Sequence, residues 1–145
     1  MASIFTQIID GNIPGHFVWQ DETCVAFLVI DPITDGHIVV VPREEIEEWT
    51  AADPQVLSHL MDVAQKIGQA QQEAWSAKRI GLLAEGYEVA HLHLHVWPTQ
   101  SPADFDPHDV VHGQDQQILA ANAQKLRESL RSAGHGEHVV DAAAN

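Results

Sequence analysis

A chain of 145 residues is one ordinary domain, long enough to bury a core without staples, and 45% apolar content marks it as folded rather than disordered. Its formal charge of -14, from 21 acidic and 7 basic side chains, repels polyanions and so excludes nucleic acid polymers and anionic membranes as partners. A small phosphate-bearing ligand is compatible with that charge, because donors placed locally can outweigh the global field.

In chain order, Ile4, Phe5, Ile8 and Ile9 carry the i, i+4 spacing of a short amphipathic helix over 3–9, stopped by Gly11 and Pro14. Residues 16–20 and 23–30 read as two strands around an Asp21-Glu22 turn. The stretch from Asp31 through Pro32 to Gly36 is a loop, and the β-branched run 37–41 is a third strand ended by Pro42. Asp53-Pro54 pairs an N-cap acceptor with Pro at the first helical position, predicting a helix that runs to about Lys78. Residues 80–84 and 88–97 are predicted as a strand pair around Glu85-Gly86, ended by Pro98, and 99–113 as irregular. Ile118, Leu119, Leu126 and Leu130 mark a last helix over about 115–131, followed by a tail over 135–145 expected to be flexible. Strands joined by short turns, with a few helices between them, imply an α+β domain on an antiparallel sheet.

Cys24 is the only cysteine, so an intramolecular disulfide and a cysteine-based zinc knuckle are both excluded, and its apolar neighbours make it a buried small hydrophobe. Neither a signal peptide nor an apolar run near the ~20 residues of a membrane helix is evident, so a cytoplasmic location is expected.

The chemistry is concentrated in His91-Leu92-His93-Leu94-His95-Val96-Trp97. Side chains alternate on a strand, so the three imidazoles share one face and the aliphatics the other, with neighbouring imidazole attachment points roughly 6.6 Å apart. The buried aliphatic face pins this register, because a one-residue slip would drive three histidines into the core. Three histidines in five residues argue against a polar strand face that holds them by chance. Two uses remain open on spacing alone: a borderline-metal site, or imidazole acting as nucleophile and acid–base group on phosphorus.

This segment resembles the His-φ-His-φ-His-φ-φ signature of the histidine triad (HIT) superfamily of nucleotide hydrolases and transferases. Further matches lie upstream in order: Ser3-Ile4-Phe5 with Ile8-Ile9 and Ile13-Pro14, then Asp21, Ala26-Phe27, Pro32, Gly36-His37 and Val41-Pro42, so that the resemblance covers about 3–98. It implies a HIT-like fold, an antiparallel sheet of about five strands flanked by helices, in a single domain over 1–134, paired as a homodimer. It also implies that His93 attacks an α-phosphorus to form a nucleotidyl-histidine, with no cofactor. His95 would hydrogen-bond the phosphoryl oxygens and the departing group. His91 would fix the tautomer of His93, and His37 would support it from the neighbouring strand. The nucleoside pocket maps onto Ile4, Phe5, Ile8, Phe27 and Ile30.

Departures from the pattern bound what carries over. Some members bind a structural zinc through two cysteines, a histidine and the first triad histidine; the first three positions here hold Ser3, Thr6 and Glu45, so no structural metal is expected. The position of a common ribose-binding aspartate is Val29, with Asp31 two residues later. The pre-triad hairpin is short, and Tyr87 and Glu88 stand where many members place phosphate-contacting Gln and hydroxyl residues, so Glu88 is either a solvated hairpin carboxylate or a substrate-side group that raises the pKa of a triad histidine by pairing with it. The rival readings are a metalloprotein built on the histidine row and a nucleotide-binding module without turnover.

Overall fold

The structure, a computed structural model, describes residues 2–140. Helix α1 (Ile4–Ile9) starts at Ser3, whose Oγ accepts the Thr6 N–H at 3.0 Å and so satisfies one of the free donors of the first turn. Strands β1 (Phe17–Gln20) and β2 (Cys24–Leu28) form a hairpin held by Asp21, whose Oδ1 accepts the amide N–H groups of Thr23 and Cys24, each at 2.8 Å. Strand β3 (Ile38–Pro42) follows a loop that turns at Gly36. Gly36 has φ 86°, and a Cβ there would lie 2.6 Å from the Trp75 ring, so both backbone and packing demand glycine. Helix α2 (Pro54–Trp75) is capped by Asp53 as predicted and ends where Ser76 adopts a left-handed conformation. Strands β4 (Arg79–Leu83) and β5 (Leu94–Thr99) and helix α3 (Gln116–Ser132) complete the domain.

All strand pairs are antiparallel, in the order β1-β2-β3-β5-β4. Alternation sorts the side chains into two layers. Leu28, Ile38, Val40, Leu94 and Val96 pack with Leu60, Val63 and Ile67 of α2 and with Leu119, Leu126 and Leu130 of α3. Phe17, Val25, Phe27, Val39 and Val41 face the other way and pack with Ile8 of α1. The buried Gln71 amide of α2 donates to the carbonyls of Gly36 and Val96, tying the starts of β3 and the middle of β5 together. The predicted α+β class and five-stranded antiparallel sheet are therefore observed.

Three boundaries differ from the sequence reading. The strand predicted over 88–97 begins only at Leu94, because the ladder to β3 stops there, at Val40, and the ladder to β4 stops at Leu83 opposite His95. Upstream of it, Leu92 N–H instead donates to Ile46 O in the loop after β3, at 2.7 Å. Pro98 lies inside β5 rather than ending it: the ladder to β3 stops at Val96, so the side of Pro98 that lacks an N–H faces no strand. The expected flexible tail packs as far as residue 140. His138 stacks on Trp19 with ring centroids 4.6 Å apart, and Val139 and Val140 rest on the two core layers. Residues 141–145 of that tail lie outside the described residues.

Candidate functional site

His95 lies on β5 with its ring on the α1 side of the sheet. His91 and His93 precede the strand but keep its parity, since Leu92, Leu94 and Val96 all enter the core on the α2–α3 side. The His93 and His95 rings meet edge to face, with centroids 4.9 Å apart. Phe5 of α1 sets its edge against both His91 and His93, at 5.9 and 4.8 Å, and against Phe27 at 5.6 Å. His37, at the start of β3, stands beside His95.

Hydrogen bonding fixes every tautomer. A carbonyl only accepts, so His93 Nδ1 must donate to His91 O, 2.7 Å away. That leaves His93 Nε2 with a bare lone pair. Ile33 N–H donates to His37 Nδ1 at 3.0 Å, so His37 carries its proton on Nε2 and donates it to His95 Nδ1 at 2.9 Å. His95 in turn carries its own proton on Nε2, as a donor. His91 Nε2 donates to Pro42 O at 2.8 Å, and its Nδ1 accepts from Ser3 Oγ at 2.6 Å. The pair therefore exposes one nucleophilic nitrogen beside one N–H donor, and protein atoms rather than solvent set that pattern.

Electrostatics hold the rings neutral. Burial lowers the His37 pKa from 6.5 to about 3, aided by His95, and burial with the neighbouring His93 lowers that of His95 to about 4. Burial also lowers His93, against the opposing pull of its bond to the His91 carbonyl and of the Glu88 and Glu85 charges. His91 is fully buried.

The other sequence-derived residues scatter. Ile8 and Phe27 are core, Phe5 is half-buried over the triad, and Ile4 and Ile30 are exposed on the surface. Glu88 is exposed on the 84–90 loop, and Tyr87 beside it is 92% exposed, free of the site. Asp31 Oδ1 accepts Gly113 N–H at 2.7 Å, which ties down a distant loop. His91 differs from its expected role: its backbone carbonyl, not its ring, orients His93, while the ring anchors α1 and β3.

Sequence reading missed four contributors. Ser3, Thr6 and Glu45 stand out in the sequence only as places without zinc ligands. In the fold they meet His91, Thr6 Oγ1 and Ser3 N both donating to Glu45 Oε1 at 2.6 Å, so a polar network joins α1 to the triad. Those bonds hold the Glu45 carboxyl below its usual range. The fourth is the Ile33 amide; a main-chain donor leaves no residue-type signal.

Among the described residues, nothing bonds His93 Nε2, whereas both nitrogens of His91 and of His37 are already engaged. A metal drawing on His91 or His37 would have to break this network, and what remains open is a bare nitrogen on His93 beside a proton-bearing one on His95.

The family described as the HIT domain matches residues 10–101. An uncharacterized HIT-like protein of Saccharolobus solfataricus is 36% identical over 118 residues, 78% of this chain and 85% of the relative. The solved structure of a hypothetical histidine triad nucleotide-binding protein from Sulfolobus tokodaii superposes with TM-score 0.79 at 28% identity, covering 89% of this chain and 92% of that one. The structure of a HIT family hydrolase from Legionella pneumophila gives TM-score 0.61 at 25% identity, covering 69% and 95%.

Proposed function

This chain belongs to the HIT domain family, and from that premise we propose that it hydrolyses a nucleotidyl phosphoramidate, nucleotidyl ester or dinucleotide polyphosphate at the α-phosphorus through a nucleotidyl-histidine. The observation that carries the reading is the tautomer of His93, with Nδ1–H held by the His91 carbonyl and Nε2 bare. His93 Nε2 attacks phosphorus, the P–N bond forms, and the bond to the leaving group breaks. An anionic phosphoryl group against the paired rings raises the pKa of His95, whose Nδ1 takes a proton from solvent in place of the His37 Nε2–H bond while its Nε2 proton passes to the leaving group. Water, giving its proton back to His95, next cleaves the P–N bond and releases the nucleotide. Charge on the equatorial oxygens is met by the His95 Nε2–H donor, which His37 and Ile33 N–H hold in place. No cofactor enters this scheme.

In this reading the nucleoside lies against half-buried Phe5 and the exposed Ile4 and Ile30, with Ile8 and Phe27 as the core behind them. Glu88 acts at a distance, its charge opposing the effect of burial on His93. The β4 edge, unpaired in the sheet and carrying the half-exposed Leu82, is the surface for a homodimer. Sedimentation should return twice the chain mass; a monomer at micromolar concentration would remove that element of the proposal. No helix among the described residues is long and apolar enough to cross a membrane.

The test of the nucleophile uses a panel of AMP–amine, AMP–ester and dinucleotide substrates. His93→Ala should lower turnover by about 10⁴-fold or more, and wild-type enzyme quenched at high pH should hold a phosphoramidate on His93. Wild-type turnover in His93→Ala overturns the assignment, and tight nucleotide binding with no turnover by the wild type overturns the activity.

A further inference from the structure

On the helix-covered face of the sheet, away from the triad, Asp21, Cys24 and His59 bring three chemically different donors to one point. Asp21 Oδ2 lies 2.7 Å from His59 Nε2 and 3.7 Å from Cys24 Sγ, and the three ligand atoms are all within 4.8 Å of one another. Cys24 is 0% exposed, while the side chains of Asp21 and His59 are 10% and 37% exposed, so the cluster is dry on its sulfur side and open at the imidazole. We propose that it binds one borderline divalent cation, zinc being the natural match to a thiolate, imidazole and carboxylate set.

Two of the three spans are close to what such an ion needs, and the third, sulfur to nitrogen, is up to 4.8 Å and has to close to about 3.5 Å. Tetrahedral bonds of about 2.0 Å to N or O and about 2.3 Å to S place the sulfur and oxygen ligands about 3.5 Å apart and the nitrogen and oxygen ligands about 3.3 Å apart. The observed sulfur–oxygen span of 3.7 Å already fits, and the nitrogen–oxygen span of 2.7 Å has to open by about half an ångström, by movement of an imidazole on a partly exposed helix face. The carboxylate is preset. Oδ1 is held by the Thr23 and Cys24 amides, and Oδ2 accepts Trp19 Nε1–H at 2.9 Å, the kind of outer bond that orients a metal ligand. Burial alone would raise the Asp21 pKa, but these bonds hold it well below the usual carboxylate range, so the oxygen is ionised.

Cys24 arrives protonated, its pKa pushed up by burial and by the Asp21 charge beside it. Binding therefore releases one proton: the S–H bond breaks, the proton leaves to solvent, and sulfur bonds the cation. The His59 Nε2 proton moves to Nδ1, freeing the facing lone pair. The charges around the cluster are Arg43 after β3, Asp62 and Lys66 on α2, and His135 and His138 over Trp19. A bound ion would cross-link α2 to the β1–β2 turn. Nothing in this proposal rests on the hydrolase reading.

The probe is cadmium on metal-stripped, folded protein, followed by the sulfur-to-cadmium charge-transfer band, with zinc as competitor. Wild type should bind one equivalent with the band, release one proton per ion, and lose the band to zinc. Cys24→Ser should abolish the band, His59→Ala should weaken binding by about tenfold or more, and His93→Ala should leave both unchanged. If Cys24→Ser fails to fold by near-ultraviolet circular dichroism, the half-exposed His59 variant decides. Absence of the band at stoichiometric cadmium, a band indifferent to His59→Ala, or ion binding lost in His93→Ala would each overturn the proposal.

Discussion

At the scale of single residues, the site is a problem in where protons sit. Two histidines of like type acquire opposite roles because one ring is tied by Nδ1 to a main-chain carbonyl and the other accepts at Nδ1 from a neighbouring imidazole. Since burial depresses the His93 pKa from 6.5, its Nε2 is unprotonated at neutral pH. In the pH profile of kcat/KM, which reports free enzyme, the acid limb that marks protonation of the nucleophile should be centred below 6.5. A limb centred at or above 6.5 would mean that the nucleophile is not the buried ring. That the three alternating histidines share one face was readable from their spacing, while His93 as the reactive candidate is what the family resemblance implies. The donor that sets His37, the Ile33 amide, was not, because every non-proline residue offers the same group.

At the scale of elements, a very short helix does more than cap the sheet. Helix α1 has six residues, too few to be stable alone, and is fixed by its N-cap and by Ser3 and Thr6 reaching Glu45 and His91. Ser3→Ala removes the cap, at about 1 kcal/mol, and leaves Nδ1 of a fully buried imidazole unpaired, at about 1–2 kcal/mol more. Urea unfolding should show a loss of about 2–3 kcal/mol, with KM rising because Phe5 shifts against His93. A change below about 0.5 kcal/mol would show that the contact contributes nothing. The strand ahead of the triad illustrates the converse. Alternation of aliphatic and histidine residues predicted a strand back to 88, yet pairing stops at His95 toward β4 and at Leu94 toward β3, and the carbonyl of His91 turns to its own chain's imidazole. Period two reports which side a residue faces, and it did so correctly here; it does not report whether a partner strand is present.

At the scale of the whole molecule, burial of neutral imidazoles couples folding to pH. His37 and His95 titrate near 6.5 when unfolded and at about 3 and about 4 when folded, so below 6.5 the unfolded chain binds more protons. Stability is complete above 6.5, falls as pH drops, and reaches its full loss near the folded values; at pH 5 each ring costs about 2 kcal/mol. Thermal melts from pH 7 to 5 should show this slope, and a His37→Asn, His95→Asn double variant should flatten it. An unchanged slope in that variant would assign the acid sensitivity to other groups.

The sequence by itself determined the class of fold, the order of its elements, the face on which the histidines lie and the family to which the chain belongs, because these depend on local spacing and turn chemistry that residue types encode directly. Only the tertiary structure decided which nitrogen is free, how α1 is tied to the triad, where the strand begins, and that Asp21, Cys24 and His59 share one point. Those outcomes depend on main-chain groups and on residues 35 or more positions apart, where Asp21 meets His59, and proximity of that kind is created by the packing of α2 on the sheet rather than by any pattern along the chain.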